Sequence, residues 1–264
     1  MATDTSLSLA GKVAIVTGSG KENGIGAAIA FTLATHGARV VINYVSEATA
    51  VRAAAVATKI EEVAGKGSVL AIRADISKDA DVKSLIEGTL KGFGVEKIDI
   101  LVNNAAWASH EPALSMLAKN IAKTFDICVF GPLALIQAVV PHMRNGGRII
   151  NTGSIASKLG IEPVYGAAKA AMDALTFSLA TSLGRDGKNI TINTIMPGPV
   201  LTDSLPPSVP EVEALKASLL AQTRVEGRFG TPEDIADAAL LLASEKSRWI
   251  TGQVISVSGG ITGG

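Results

Sequence analysis

Tyr165 and Lys169, four residues apart in YGAAK, are the pair in this 264-residue chain with the clearest chemical use. Positions i and i+4 of a helix share a face. An ammonium beside a phenol favours the phenolate and draws the phenol down from its ordinary pKa of about 10, making it a usable acid or base near neutrality. Ser154 follows an apolar run, where ligands of open parallel sheets bind, and its hydroxyl can donate to a carbonyl oxygen. Together the three would hold a carbonyl and protonate the alkoxide formed as hydride arrives.

The second chemical stretch is TGSGKENGIG, residues 17–26. A phosphate-binding P-loop needs a glycine five residues before Gly20 and a Ser or Thr after Lys21; this chain has Ile15 and Glu22 there, so that reading fails. A dinucleotide cradle needs a strand before the glycines and a helix after them, so that backbone N–H groups approach a pyrophosphate. Those contexts are present, and they nominate Gly18, Ser19, Lys21, Asn23, Gly24, Ile25 and Gly26. NAD binding would place an acid on the ribose 2′-OH about 20 residues further on. The second strand ends Asn43-Tyr44-Val45-Ser46, with no carboxylate before Glu47, which favours NADP(H) over NAD(H). Lys21 and Ser46 are the candidate partners of a 2′-phosphate, with Tyr44 beside them.

The elements that must position these residues follow from periodicity. Short Val/Ile-rich runs alternate with longer Ala/Leu-rich stretches, the pattern of βαβ units around a buried parallel sheet. Strands are expected at 12–17, 39–44, 68–73, 98–102, 148–152, 191–195 and 253–257. Helices are expected from Ile25 to Gly37, where Ile25, Ile29 and Leu33 form a stripe, and at 47–63, 79–91, 112–129, 165–183 and 232–243. The last has Thr231 as N-cap, Pro232 at its first position, and Glu233 and Asp234 in its first turn. Residues 201–226, broken by Pro206, Pro207 and Pro210, read as a substrate lid.

Composition narrows the partners. Lys plus Arg and Asp plus Glu are 24 each, so no net field holds a polyanion and nucleic acid is not expected. One cysteine, Cys128, excludes an internal disulfide and suits a cytoplasmic location. The N-terminus reads as neither signal nor anchor, and the apolar run 129–140 is interrupted and too short to span a bilayer, so no membrane association is expected. His36, His110 and His142 lack metal-ligand spacing; only His110 stands where it would face a substrate.

Four further motifs occur in order: Asn103-Asn104-Ala105-Ala106 after the fourth strand, Gly153-Ser154 after the fifth, Tyr165-Gly166-Ala167-Ala168-Lys169, and Pro197-Gly198-Pro199-Val200-Leu201-Thr202 after the sixth. Together the chain resembles the short-chain dehydrogenase/reductase family over nearly its whole length. The resemblance implies one Rossmann domain over residues 1–264, a doubly wound seven-stranded parallel sheet flanked by helices. It implies a ketoreductase-like enzyme passing hydride between NADP(H) and a carbonyl or secondary alcohol of a small substrate, and a homodimer or homotetramer. Ser154, Tyr165 and Lys169 would be catalytic, and Lys169 would also hold the nicotinamide ribose. Asn103 and Ala105 would lie near the adenosine ribose, and Asp75 and Ile76 near the adenine. Pro197 and Gly198 would line the nicotinamide side, Val200 would bond the carboxamide through its backbone, and Thr202 would contact the cofactor amide or phosphate.

The chain departs from the family pattern in four places. Five residues, not three, separate Gly18 from Gly24; NNAG is NNAA; Ser154 and Tyr165 are only 11 apart; and Cys128 stands where the family has a fourth catalytic residue, an asparagine thought to support a water joined to the lysine. A thiol is a poor hydrogen-bonder, so proton relay there would be weaker or rerouted. This altered tetrad leaves two other readings open, a non-redox isomerisation or cyclisation in the same pocket and a nucleotide-sensing protein with vestigial catalysis. Residues 107–112 and 201–226, which should select substrate, carry no readable recognition chemistry.

Overall fold

The short apolar runs become the strands of one sheet. The structure, a computed structural model, describes residues 7–185, 187–203 and 210–262. Among them β1 (Val13–Val16), β2 (Arg39–Tyr44), β3 (Val69–Arg73), β4 (Ile98–Asn103), β5 (Met143–Thr152), β6 (Thr191–Pro197) and β7 (Val254–Val257) pair in the order β3-β2-β1-β4-β5-β6-β7, all parallel. Strand order reverses between β1 and β4, which opens a crevice at their carboxyl ends.

Side chains alternate across a strand, so β1 feeds two cores. Ala14 and Val16 join the layer built on α1 (Ile25–Thr35) and α9 (Pro232–Ala243). Val13 and Ile15 join the opposite layer, built on α3 (Asp79–Phe93) and α5 (Gly131–Val139). The other helices are α2 (Glu47–Ala64), α4 (Ala118–Phe125), α6 (Ala156–Leu159), α7 (Pro163–Gly184) and α8 (Pro210–Gln222).

Helix α9 has the bounds and the cap its sequence predicts: Thr231 Oγ1 accepts from Asp234 N at 3.4 Å, and Asp234 Oδ2 accepts from Thr231 N at 2.7 Å. Thr231→Ala is expected to cost about 1 kcal/mol and lower the melting temperature by about 2–4 °C, read by thermal denaturation. Hydrogen bonding to Arg228 first, then the Thr231 N–H, holds the Asp234 carboxyl down at about 2. A depressed carboxyl stabilises the fold above its unfolded value, and that part of the stability is lost as pH falls toward 2.

The helix expected over 112–129 differs. It begins at Ala118, widens at residues 126–130 into a π turn, and continues as α5. Gly131 N donates to Asp126 O, a five-residue span, and the wide turn accommodates the N–H that Pro132 lacks. A Cβ at Gly131 would lie 2.8 Å from Ile76 O, so the helix passes close over the chain after β3. The helical run Ala118–His142, 25 residues, contains a stretch long and apolar enough to cross a bilayer by length and composition alone. Its Leu135, Ile136 and Val139 lie in the core instead.

Strand β5 begins five residues before its expected start, with an irregularity in its register against β4. The Gly-rich polar run Arg144-Asn145-Gly146-Gly147 hid that extension. Of the lid expected over 201–226, residues 204–209, with Pro206 and Pro207, lie outside the described residues; α8 occupies its middle.

Candidate active site

The crevice between β1 and β4 is closed from below by one hydroxyl. Thr17 Oγ1 accepts from Asn104 N at 3.0 Å and Ala105 N at 3.1 Å, and Thr17 N donates to Val102 O at 3.0 Å. Asn104 Nδ2 in turn donates to Thr17 O at 2.9 Å and Gly18 O at 3.2 Å. Such close approach leaves no room for side chains: a Cβ on Gly18, which has φ +62°, would sit 2.8 Å from Ala105 Cα, and one on Gly20 the same distance from Tyr44 Cβ. Helix α1 starts just beyond with Gly24 as N-cap, no side chain capping it and no acid in its first turn. Its end presents N–H groups and a positive dipole without a competing carboxylate.

Above β5, Ser154 Oγ accepts from Ala156 N at 3.2 Å, leaving its own proton to donate. Ser157 Oγ lies 3.0 Å from Ser154 O and 2.9 Å from Asp173 Oδ2, and burial pushes the Asp173 carboxyl up. Gly166 lets α7 approach α6, because a Cβ there would be 2.6 Å from Ala156 O. That approach sets Tyr165 against the Ser154 turn.

Lys169 is 3 % exposed; its Nζ donates to Thr152 O at 2.6 Å and lies 5.4 Å from the centre of the Tyr165 ring. Burial is the largest influence and pulls the ammonium down, but the Tyr165, Cys128 and Asp173 groups around it together outweigh burial, so the net direction is upward. The expectation of a phenol drawn down toward neutrality is corrected. Burial pushes the Tyr165 phenol up, and the Lys169 charge opposes this without cancelling it. Tyr165 therefore rests as a neutral acid.

Cys128 lies in the π turn, 2 % exposed, packed beside Tyr165 with its Sγ 3.5 Å from Trp107 O. The thiol is a weak donor to a backbone carbonyl and otherwise a small apolar residue.

All of this opens on one cleft of about 850 Å³. Ser154, Tyr165 and Lys169 line it together, with Gly18, Lys21, Gly24, Ile25 and Gly26 on the glycine-loop wall. Tyr44, Asp75 and Ile76 line one end, and Ala105, Pro197, Gly198, Val200 and Thr202 the other walls. The Asp75 carboxylate accepts from Ser77 N and Oγ at 3.1 and 2.7 Å, which ties the chain that leads into α3.

Four of the nominated residues do not line the cleft. Ser19 is fully buried, its hydroxyl donating to Val16 O at 2.7 Å and accepting from Asn43 N at 3.0 Å. Asn23 turns to Asp203, Ser46 caps α2 with Thr49, and Asn103 is buried with its amide on Asn151 Oδ1 at 2.9 Å. Ser46 and Ser19 are taken by partners three residues away, Thr49 and Val16, while Asn23 and Asn103 bond segments distant in sequence.

Asn43, Lys123 and Glu162 line the cleft without having been nominated; Trp107, from the 107–112 stretch expected to select substrate, and His110 line it too. Asn43 is 3 % exposed, accepts from Gly18 N at 3.2 Å and donates to Ala74 O at 3.0 Å, tying the ends of three strands. An amide inside the apolar strand VVINY was the available signal. Lys123 stacks over the Trp107 ring, 4.3 Å from its centre, and Glu162, at φ +47° before Pro163, stands one turn ahead of Tyr165.

The fold and site define a Rossmann-type oxidoreductase. The chain belongs to the short-chain dehydrogenase/reductase family: residues 18–262 match a family model described as enoyl-(acyl carrier protein) reductase. A 7alpha-hydroxysteroid dehydrogenase of Escherichia coli is 38 % identical over 259 residues, covering 96 % of this chain and 95 % of that one. A dehydrogenase/reductase from Sinorhizobium meliloti has a solved structure similar at TM-score 0.87 and 35 % identity, over 98 % of each chain. A short-chain dehydrogenase from Burkholderia cenocepacia, solved with NADP, is similar at TM-score 0.85 and 33 % identity, over 96 % of this chain and 98 % of that one.

Proposed function

We propose that this protein is an NADPH-dependent reductase of a small ketone, or the corresponding alcohol dehydrogenase in reverse, acting as a homodimer or homotetramer. One observation carries the reading: Ser154, Tyr165 and Lys169 share a cleft with an uncapped helix N-terminus and a glycine turn too close to its neighbours for any Cβ. Those residues fit a dinucleotide. Gly18, Gly24, Ile25 and Gly26 would hold the pyrophosphate, Lys169 a ribose, and Val200 and Thr202 the nicotinamide side. When bound, the nucleotide supplies the hydride.

The protein's own groups do the rest. Ser154 and the neutral Tyr165 donate to the carbonyl oxygen and orient it. As negative charge grows on that oxygen, Tyr165 gives up its proton, and the buried Lys169 ammonium stabilises the phenolate left behind. Burial makes Tyr165 a poor phenolate in the resting site but strengthens the Lys169 charge on it when it ionises.

The NADP preference rests on charge at the adenosine end. No carboxylate lies between Asn43 and Ser46, Lys21 lines the cleft, and the next acid in sequence, Glu47, is paired with Arg73; Asp75, which lines the same end, is held by Ser77 and Lys78. An acid at the end of β2 would repel a 2′-phosphate. The test is NADPH and NADH oxidation with a panel of ketones. Lys21→Ala is expected to raise KM for NADPH about tenfold while leaving KM for NADH nearly unchanged, since a charge-assisted bond contributes about 1.5–3 kcal/mol. An equal shift for both nucleotides would remove Lys21 from that role. Product formation with no NADPH consumed would replace the redox reading with an isomerisation. Phe177 and Trp249, 71 and 96 % exposed, supply apolar surface of the kind that subunit contacts bury.

A further inference from the structure

The lengthened glycine loop is engaged on its outer side as well as on the cleft. Glu22 and Asn23, the last two residues before Gly24, do not line the cleft that Lys21 and Gly24 line. Arg52 Nε, on α2, meets Glu22 Oε2 at 2.5 Å, and Arg52 Nη2 meets Asp203 Oδ2 at 2.5 Å. Asn23 Nδ2 adds a bond to Asp203 Oδ1 at 3.3 Å. Arg52 and Asp203 are 151 residues apart in sequence, and one guanidinium joins three segments.

Those segments are three walls of the same cleft. Lys21, Thr49 and Thr202 line it; Glu22 follows Lys21, Arg52 stands one helical turn after Thr49, and Asp203 follows Thr202, while Glu22, Arg52 and Asp203 themselves do not line it. The network therefore ties the walls together at the rim. Hydrogen bonding to Arg52 holds the Asp203 carboxyl below its ordinary range, with Asn23 adding to it.

We propose that Arg52, bridging Glu22 and Asp203, is a clamp across the mouth of the cleft that retains a bound dinucleotide and sets how fast it leaves. The proposal rests on the dinucleotide reading above. Arg52 is a positioning residue: it does not line the cleft and acts through the loop and the segment after β6. The fork geometry of the guanidinium suits it, since two carboxylates from different segments take separate N–H groups, which a lysine ammonium matches less well. The side chains are 26–35 % exposed, so salt should weaken the clamp.

The experiment measures dissociation of NADPH and of NADH from the full chain by stopped-flow fluorescence. Wild type, Arg52→Ala, Arg52→Lys and Asp203→Asn are compared at low and high salt. Arg52→Ala and Asp203→Asn should each speed release of both nucleotides about fivefold, and the double variant should be no faster than either single one. Arg52→Lys should recover part of the retention, and salt should speed release from wild type but hardly from Arg52→Ala. Asp203→Asn breaks the same link without altering α2, so a folding defect of Arg52→Ala would not mask the result.

Faster release of NADPH alone would make Arg52 a 2′-phosphate ligand and overturn the clamp. Unchanged release of both nucleotides would overturn the clamp while leaving the dinucleotide reading intact. A wild-type protein that binds neither nucleotide would overturn both.

Discussion

Tyr165→Phe is expected to lower kcat for ketone reduction by about 10³-fold with little change in KM for NADPH, within the range that a positioned proton donor contributes. Phenylalanine keeps the ring against Cys128 and Ala168, so packing is preserved and only the acid is removed. The pH profile gives a second readout. Because burial lifts the phenol, it stays protonated from neutrality to above its ordinary value, and reduction should not lose rate through titration of Tyr165 across that range. Alcohol oxidation needs the deprotonated form and should speed up as pH rises. Steady-state rates in both directions check this; a Phe variant as fast as wild type would remove Tyr165 from the chemistry.

The second large effect is at Gly26. A Cβ there would come 2.5 Å from Asn104 Nδ2, 2.7 Å from Gly18 O and 3.0 Å from Ser19 Cα. Two of the three neighbours are backbone, and the third is the amide that bonds Thr17 O and Gly18 O. None of them can move without opening the turn that joins the ends of β1 and β4. Gly26→Ala should therefore cost about 1–3 kcal/mol of stability, as overpacking does. It should also weaken NADPH binding at least about tenfold, because the cradle and the α1 N-terminus shift together. Thermal unfolding and nucleotide titration measure the two effects. Gly11→Ala is the control: that glycine has nothing within reach of a Cβ, so only the strain of φ +76° remains, and nucleotide affinity should not change.

Much of the fold is legible in local patterns. β1 alternates Val13 and Ile15 against Ala14 and Val16, and all four are buried because both faces of a parallel sheet are covered. Helix α9 carries its start signals in four consecutive residues, and its bounds match them. The helix over 112–129 departs from its expectation for an equally physical reason. Gly131-Pro132 reads as a break, but a π turn absorbs the missing donor and lets the glycine pass so near Ile76 O that a Cβ would lie 2.8 Å from it, a neighbour no local pattern reports.

The site divides in the same way. Tyr165, Lys169 and the glycines are tied to their neighbours by helical or turn spacing, so types and intervals alone nominate them. Ser19, Asn23, Ser46 and Asn103 have the right types in the right stretches, yet their polar atoms are taken by Val16, Asp203, Thr49 and Asn151. Asn43 was overlooked although its amide holds the glycine loop to β3's end.

By itself, then, the sequence determined the parallel α/β architecture and the pairing of Tyr165 with Lys169 on one helix face, since both depend on periodicities of two to four residues that local backbone geometry enforces. The tertiary structure alone decided which polar groups face the cleft, that Tyr165 is raised and not lowered, and that Glu22, Arg52 and Asp203 meet at its rim. Each of those depends on burial or on partners brought together from distant parts of the chain, as Arg52 and Asp203 are, and such distances leave no periodic trace.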